Sequence, residues 1–450
     1  METLYQKSTV IKSLRAYFTP YIRSLTKPSG HKMLLLLLAM MAMQFTTSIN
    51  HLFKWFLAGI SGISLNSYYY LLSYTEIPLD RFFKITVQLA MSLIPAELDR
   101  LPVFLIIDDT LQAKYGTHFE CRQTMFDHTK RNGTNYLNGH CFVALGIRIP
   151  VAAGSGIRYL HVPVGYRLRK ENENKLTIAS EMVGSAMEVL TEHPMVILLC
   201  DSWYPKGKVI ETVQRYPNLE LIANARADTC VFNLAPGPTG RRGRPGKRGK
   251  QLDIHTDFNF IRVDDCFIAA RAALTNLFGA LPVHVTVTTP DITNHGAYRV
   301  FISTVMPRRL NQQLKGYEKT LSDSLHVRLP WLLPLFLYSF RWSIEVLFYE
   351  QKKFWSLGLY RLRRKQGIEN FVNLTSLCYA CMKMLPYMDD HFTMLRNESP
   401  QTCKYLVGDS IRLELFLWRF AQKSETPCYS SGFFDDHFIF KRSDSLCNVC

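Results

Sequence analysis

A change of pattern at residue 101 constrains the fold of this chain more than any other feature. The run Val103-Phe-Leu-Ile-Ile107 is apolar without interruption and closes on Asp108-Asp109-Thr110. A short apolar run ended by turn-forming residues reads as a strand buried on both faces. Residues 141–149 and 159–166 read as two more strands. Residues 174–190 carry Leu176, Ile178, Met182, Met187 and Leu190 at helical spacing. Met195-Val-Ile-Leu-Leu-Cys200 is a fourth strand and closes on Asp201. Residues 206–215 suit a helix and 219–225 a fifth strand. Three strands, helix, strand, helix, strand is the order of an α/β fold with a mixed sheet. Two of these strands end on aspartate, at the sheet edge where sites in α/β folds form.

The chain on either side is different. Residues 1–97 read as a helical region for DNA binding or dimerisation. Within it, helix, glycine-containing turn and helix follow one another over 48–74, with Ser48 and Ser64 placed as N-caps. That order suits a helix-turn-helix or an ordinary helical hairpin. Residues 98–225 form the first part of the core. Residues 226–305 hold short β-like runs and read as a β-rich insertion. Residues 306–388 return to the core as helix, and 389–450 form a tail with a helix over 412–422.

Composition narrows the partners. A net charge of +16 on 450 residues points to a polyanion. The apolar stretch 33–43 is too short to span a bilayer, which needs ~20 residues, and reads as a buried helix. No membrane partner is expected. Eleven scattered cysteines show no disulfide framework and suit reduced thiols in the cytoplasm. Cys378 with Cys381 lies in a helical apolar stretch. Cys447 with Cys450, near Cys428 and His437, leaves a zinc site in the tail open.

The late helix carries Tyr338, Arg341, Glu345 and Lys352. Offsets of 3, 7 and 14 from the tyrosine fall at roughly 300°, 340° and 320° on an ideal helix. One face would hold a phenol, a guanidinium, a carboxylate and an ammonium. Arg341 and Glu345 are also an i,i+4 pair, which by itself staples a solvated face for a few tenths of a kcal/mol. Three carboxylates from separate elements, however, can hold two Mg²⁺ ions for in-line phosphoryl displacement.

The spacing Tyr338-x2-Arg341-x3-Glu345-x6-Lys352 resembles the signature of bacterial DDE insertion-sequence transposases of the RNase H-like superfamily. Asp108-Asp-Thr-Leu-Gln-Ala-Lys-Tyr-Gly116 and Leu199-Cys-Asp-Ser-Trp-Tyr204 are similar to that family's first and second aspartate segments. Asn138-Gly-His-Cys-Phe-Val143 and Phe301-Ile-Ser-Thr304 are similar to two of its strands. The resemblance spans about residues 100–385. It implies an RNase H-like mixed-sheet core with a β-rich insertion, flanked by helical regions. It implies that Asp109, Asp201 and Glu345 are catalytic and bind two Mg²⁺ ions, with Mn²⁺ able to substitute. It also implies that Tyr338, Arg341 and Lys352 contact DNA phosphate. Adjacent strand residues point to opposite faces, so one of Asp108 and Asp109 faces the metal; the family pattern selects the one before threonine. His140 reads as a structural strand histidine.

The most basic segment holds Arg241, Arg242, Arg244, Lys247, Arg248 and Lys250. Arg242-Gly-Arg-Pro245 matches an AT-hook core, which lies in a narrow minor groove. Phosphate binding without base selection is the other reading. The expected protein is therefore a cytoplasmic, nucleoid-associated transposase of bacterial type. It would act as a homodimer on double-stranded DNA, at terminal inverted repeats and at a target. A non-mobile nuclease and an inactive DNA-binding derivative are the alternatives.

Overall fold

The computed structural model describes residues 10–45, 48–127, 133–154, 156–226, 228–237, 246–315 and 329–424, the last seven by backbone alone. Two long N-terminal helices, α1 (Val10–Ile22) and α2 (Lys27–Ala42), open the chain. Every residue of α2 from Met33 to Ala42 is buried, as the apolar run predicts. The candidate helix-turn-helix is less regular. It runs Ile49–Leu52, then a π-turn at Phe53–Leu57, then Ala58–Ile60, and reaches α3 (Leu65–Ser73) through four residues outside any helix or strand. The Ser48 hydroxyl accepts from the His51 N–H at 3.1 Å, a side-chain N-cap. Ser64 bonds the Ser67 hydroxyl instead. Helix α4 (Leu79–Met91) completes this layer.

The sheet has twelve strands: β1 (Val103–Ala113), β2 (Gln123–Phe126), β3 (Tyr136–Ala153), β4 (Gly156–Leu168), β5 (Val196–Cys200), β6 (Leu219–Ala225), β7 (Val231–Phe232), β8 (Gln251–Leu252), β9 (Ile261–Val263), β10 (Cys266–Thr275), β11 (Val283–Thr289) and β12 (Arg299–Ser303). The main path is β2-β3-β1-β5-β6-β12-β11-β10-β7-β8, with β4 also on β3 and β9 on β10. Among the described strands only β1, β5 and β6 run parallel. The series β4-β3-β1-β5-β6, with helices on its faces, has the form of an RNase H-like core. The β-rich segment is not a separate body of β structure. Its strand β12 pairs antiparallel with β6, so β7 to β12 extend the same sheet.

Two expectations change. β1 does not stop at the aspartates: it pairs with β3 through Ala113, so Asp108 and Asp109 lie mid-strand, opposite Ala144 and Val143. The long β3 supplies a partner for the polar residues 110–113 that periodicity alone marks as a turn. The late helix is also not uniform: its backbone stays helical from Pro330 to Phe354 but tightens part-way. It comprises a turn at Pro330–Leu332, α8 (Leu333–Tyr338), a 3₁₀ turn at Ser339–Trp342 and α9 (Ser343–Phe354); α5 (Lys175–Leu190), α6 (Lys208–Arg215) and α7 (Pro307–Gln313) precede it. Neither Gly nor Pro marks the tightened turn. Phe340 sits in it, packed on Phe104 and Tyr159 and under the Arg148 guanidinium. Pro330–Phe354 is long and apolar enough to cross a membrane by length and composition. In this fold it lies on the sheet.

Helices α10 (Lys365–Met388) and α11 (Pro400–Ser424) close the molecule. One apolar core runs from Val10 to Leu415 and takes in both terminal helical regions and the sheet. Cys378 and Cys381 are buried in α10, so their spacing reflects packing. The described cysteines are all free thiols. Cys428, His437, Cys447 and Cys450 lie outside the described residues.

Candidate active site

The register of β1 decides which carboxylates meet. Phe104 packs edge-on against Phe340 at 5.2 Å between ring centroids, so its face of β1 looks toward the 3₁₀ turn. Alternation puts Ile106 and Asp108 on that same face and Asp109 on the other. In the parallel pair β1–β5, Ile107 is level with Cys200, which brings Asp201 level with Asp108 just beyond the end of β5. The Asp201 carboxylate accepts the Trp203 N–H at 3.0 Å and is held in that turn.

Arg341 joins sheet to helix. Its Nη1 lies 3.0 Å from Asp108 Oδ2 and 3.4 Å from Glu345 Oε1. Tyr338 is one 3₁₀ turn earlier, where residues three apart eclipse. Its ring packs on Phe301 at 5.0 Å, and burial raises its hydroxyl while the nearby Arg341 charge acts in the opposite direction. The surface staple that the i,i+4 spacing allows is therefore only half of the arrangement. The other half is an ion pair with a buried strand aspartate.

Asp109, which the resemblance implies is a ligand together with Asp201 and Glu345, makes a different cluster. Its Oδ1 lies 2.8 Å from Lys175 Nζ and accepts the Tyr204 hydroxyl at 3.0 Å. The Cys141 thiol approaches its Oδ2 at 3.5 Å. Lys175 begins α5, whose N-cap Asn174 accepts the Leu176 N–H at 2.9 Å, and its ammonium lies 4.2 Å from the Trp203 ring centre. The physical reason is the pleat: neighbours on one strand cannot face the same helix. Lys175 and Tyr204 were missed as partners, although Tyr204 closes the second aspartate segment.

Burial shapes the charges. The Asp108 carboxyl is pushed up to about 8, first by desolvation, then by the nearby charges of Asp201 and Glu345, with Arg341 acting in the opposite direction. Burial also raises Asp201, whose next charged neighbour is Asp109. One guanidinium thus faces three carboxylates. Between 3.8 and about 8 the folded protein holds a proton on Asp108 that the unfolded chain has released, so stability falls as pH rises through that window. Asp108→Asn is expected to raise the melting temperature at pH 8 in a chelator by several degrees and to leave it unchanged below pH 4. A lowered melting temperature at pH 8 would show that the charge is compensated.

The remaining expected contacts divide. Lys352 Nζ lies 3.4 Å from the Leu111 carbonyl, near the far end of β1, and 6.0 Å from the Phe348 ring centre. His140 is buried between the Tyr360 hydroxyl at 2.6 Å and the Glu120 carbonyl at 2.9 Å, a structural role. Arg241, Arg242 and Arg244 lie outside the described residues. Lys247 is exposed, Arg248 bonds Asn276 and stacks on Phe232, and Lys250 pairs with Asp257 at 3.5 Å. Five strand steps separate β5 from β7, about 24 Å at ~4.8 Å each.

A family model described as DDE superfamily endonuclease matches residues 20–273. The chain belongs to this superfamily. The matched span begins near the end of α1 and covers α2 to α4, both aspartate segments and the strands from β1 into β10; Glu345 lies beyond it. No curated protein sequence matches the chain. DDE superfamily endonucleases generally use divalent metal ions. Among the described residues no three carboxylate, imidazole or thiol groups stand close enough to hold a metal ion as they are placed. The donor chemistry does fit one: Asp108, Asp201 and Glu345 offer hard oxygen ligands, and the burial and neighbouring charges that raise Asp108 are what a bound cation would offset.

Proposed function

We propose that this DDE endonuclease is a transposase that cleaves DNA at element ends and joins the freed 3′-end to a target. The observation that carries this reading is Arg341, which bridges Asp108 of the sheet and Glu345 of the helix beside Asp201. Those three carboxylates are the groups that would hold the metal, in place of the set containing Asp109. Two Mg²⁺ ions, or Mn²⁺ in their stead, would lower the pKa of an attacking water or 3′-hydroxyl and stabilise the departing oxyanion.

The chain's own residues do the rest. Arg341 holds Asp108 and Glu345 in one place and offers a cation to a phosphodiester that enters between them. Tyr338, one turn earlier and packed on Phe301, lies beside the guanidinium. Lys175 and Tyr204 hold Asp109 on the opposite face and so brace the middle of β1. The described basic residues Lys247, Arg248 and Lys250, beside β7 and β8, would meet the same duplex roughly seven base pairs away, taking 3.4 Å per step. Two copies acting on two ends would serve as a dimer, in the cytoplasm of a bacterial cell.

The test is a joining assay with a duplex carrying the inverted repeats that flank the gene. Incubation with Mg²⁺ and a supercoiled target should yield nicked ends bearing 3′-hydroxyls and then target-joined products. Cleavage without joining would indicate a non-mobile nuclease. Binding without cleavage in any divalent metal would indicate an inactive DNA-binding derivative.

A further inference from the structure

Behind the helix that carries Glu345 lies a cavity of about 200 Å³, walled by β3, β4, α9, α10 and the turn that follows α10. Four cations line it, Arg148, Arg158, Lys383 and Arg396, against two carboxylates, Glu350 and Glu398. Among the described residues its ion pair is Lys383 with Glu350, at 3.9 Å. Glu350 also accepts the Tyr379 hydroxyl. The three guanidinium groups bond neutral partners. Arg158 donates to the Arg396 carbonyl at 3.1 Å and to Asn397 at 3.5 Å. Arg396 donates to the Pro386 carbonyl at 2.9 Å. Arg148 donates to the Phe340 carbonyl at 3.3 Å, and its buried Nε has no hydrogen-bond partner.

His161 completes the wall. Its ring is buried and neither ring nitrogen makes a well-formed hydrogen bond, although the Ser343 carbonyl lies close enough to act on it electrostatically. Burial and Arg148 push the imidazole down to about 3, so it is neutral at pH 7 and offers one N–H. Buried donors without acceptors, as at Arg148 Nε and His161, are costly when left so, while Arg158 and Arg396 add positive charge at the mouth. We propose that this cavity binds a phosphate group. Planar guanidinium groups hold phosphate oxygens in pairs, and an imidazole N–H suits a third. Ser343 and Leu347 of α9 form part of the wall, so the bound group would rest against the helix that presents Glu345. The phosphate could come from a free phosphate compound or from a DNA backbone.

The test is titration calorimetry of the full chain with inorganic pyrophosphate in EDTA at fixed ionic strength. One saturable site is expected, weakened about tenfold or more in the double variant Arg158→Gln/Arg396→Gln, in line with losing charge-assisted hydrogen bonds. Both residues reach the surface, and a melting curve establishes that the variant folds. Asp201→Asn should bind pyrophosphate like the parent, which separates this site from the carboxylates. Absence of a saturable site, or affinity undiminished in the double variant, overturns the proposal. Anisotropy with a labelled duplex then identifies the source. Competition by pyrophosphate, with a salt slope reduced by about one per lost contact in the double variant, indicates a backbone phosphate. Duplex binding insensitive to both indicates a free phosphate compound.

Discussion

Asp108→Asn, Asp201→Asn and Glu345→Gln should each lower Mg²⁺-dependent strand cleavage on the order of 10³-fold or more, equivalent to about 4 kcal/mol of transition-state stabilisation. Duplex binding, measured by anisotropy, should stay near that of the parent. Asp109→Asn is the informative contrast. It breaks the ion pair with Lys175 but keeps an oxygen for Tyr204, so it should chiefly cost stability and leave most of the cleavage. The prediction follows from the strand pleat, which turns Asp108 toward Arg341 and Glu345. If Asp109→Asn is inactive while Asp108→Asn cleaves well, the pattern that selects the aspartate before threonine is right and this assignment is not.

Deletion of residues 1–97 should leave no folded remainder. The ten residues 33–42 of α2 are all buried, and α2 packs against α1, α10 and α11. At about 1.5–3 kcal/mol for each buried large apolar side chain, losing their packing and exposing the faces of α10 and α11 they cover costs as much as the ~5–15 kcal/mol net stability of a typical domain. Polar ties run the same way. Glu414 of α11 accepts the N–H groups of Val10 and Ile11 at 2.5 and 3.1 Å. Arg412 donates to the Ala42 carbonyl at 2.7 Å, and Lys404 bridges the Gln44 and Phe354 carbonyls at 3.0 Å each. Circular dichroism and gel filtration of residues 98–424 should show an aggregated or non-cooperative species. A cooperative melt near that of the full chain would make the first 97 residues a separate domain.

Part of this architecture is legible without coordinates. The strands 196–200 and 219–225 are short apolar runs between turn residues, and α5 begins after a capping asparagine. These are local signals, and local signals survive in the fold. β10 was not legible: Cys-Phe-Ile-Ala-Ala-Arg-Ala-Ala-Leu-Thr is rich in alanine and becomes a strand because β11 and β9 flank it. The length of β1 depends likewise on β3, a partner about thirty residues away.

The amino-acid sequence alone determined that an α/β core exists, that aspartates accompany two of its strands, and that a phenol, a guanidinium and a carboxylate share one late helical stretch. Spacing along the chain is enough for that, because helix and strand periods are properties of the backbone. Which aspartate meets Glu345 was decided by tertiary structure. That choice depends on which face of β1 receives Phe340, and no spacing within β1 encodes where a helix more than two hundred residues later comes to rest.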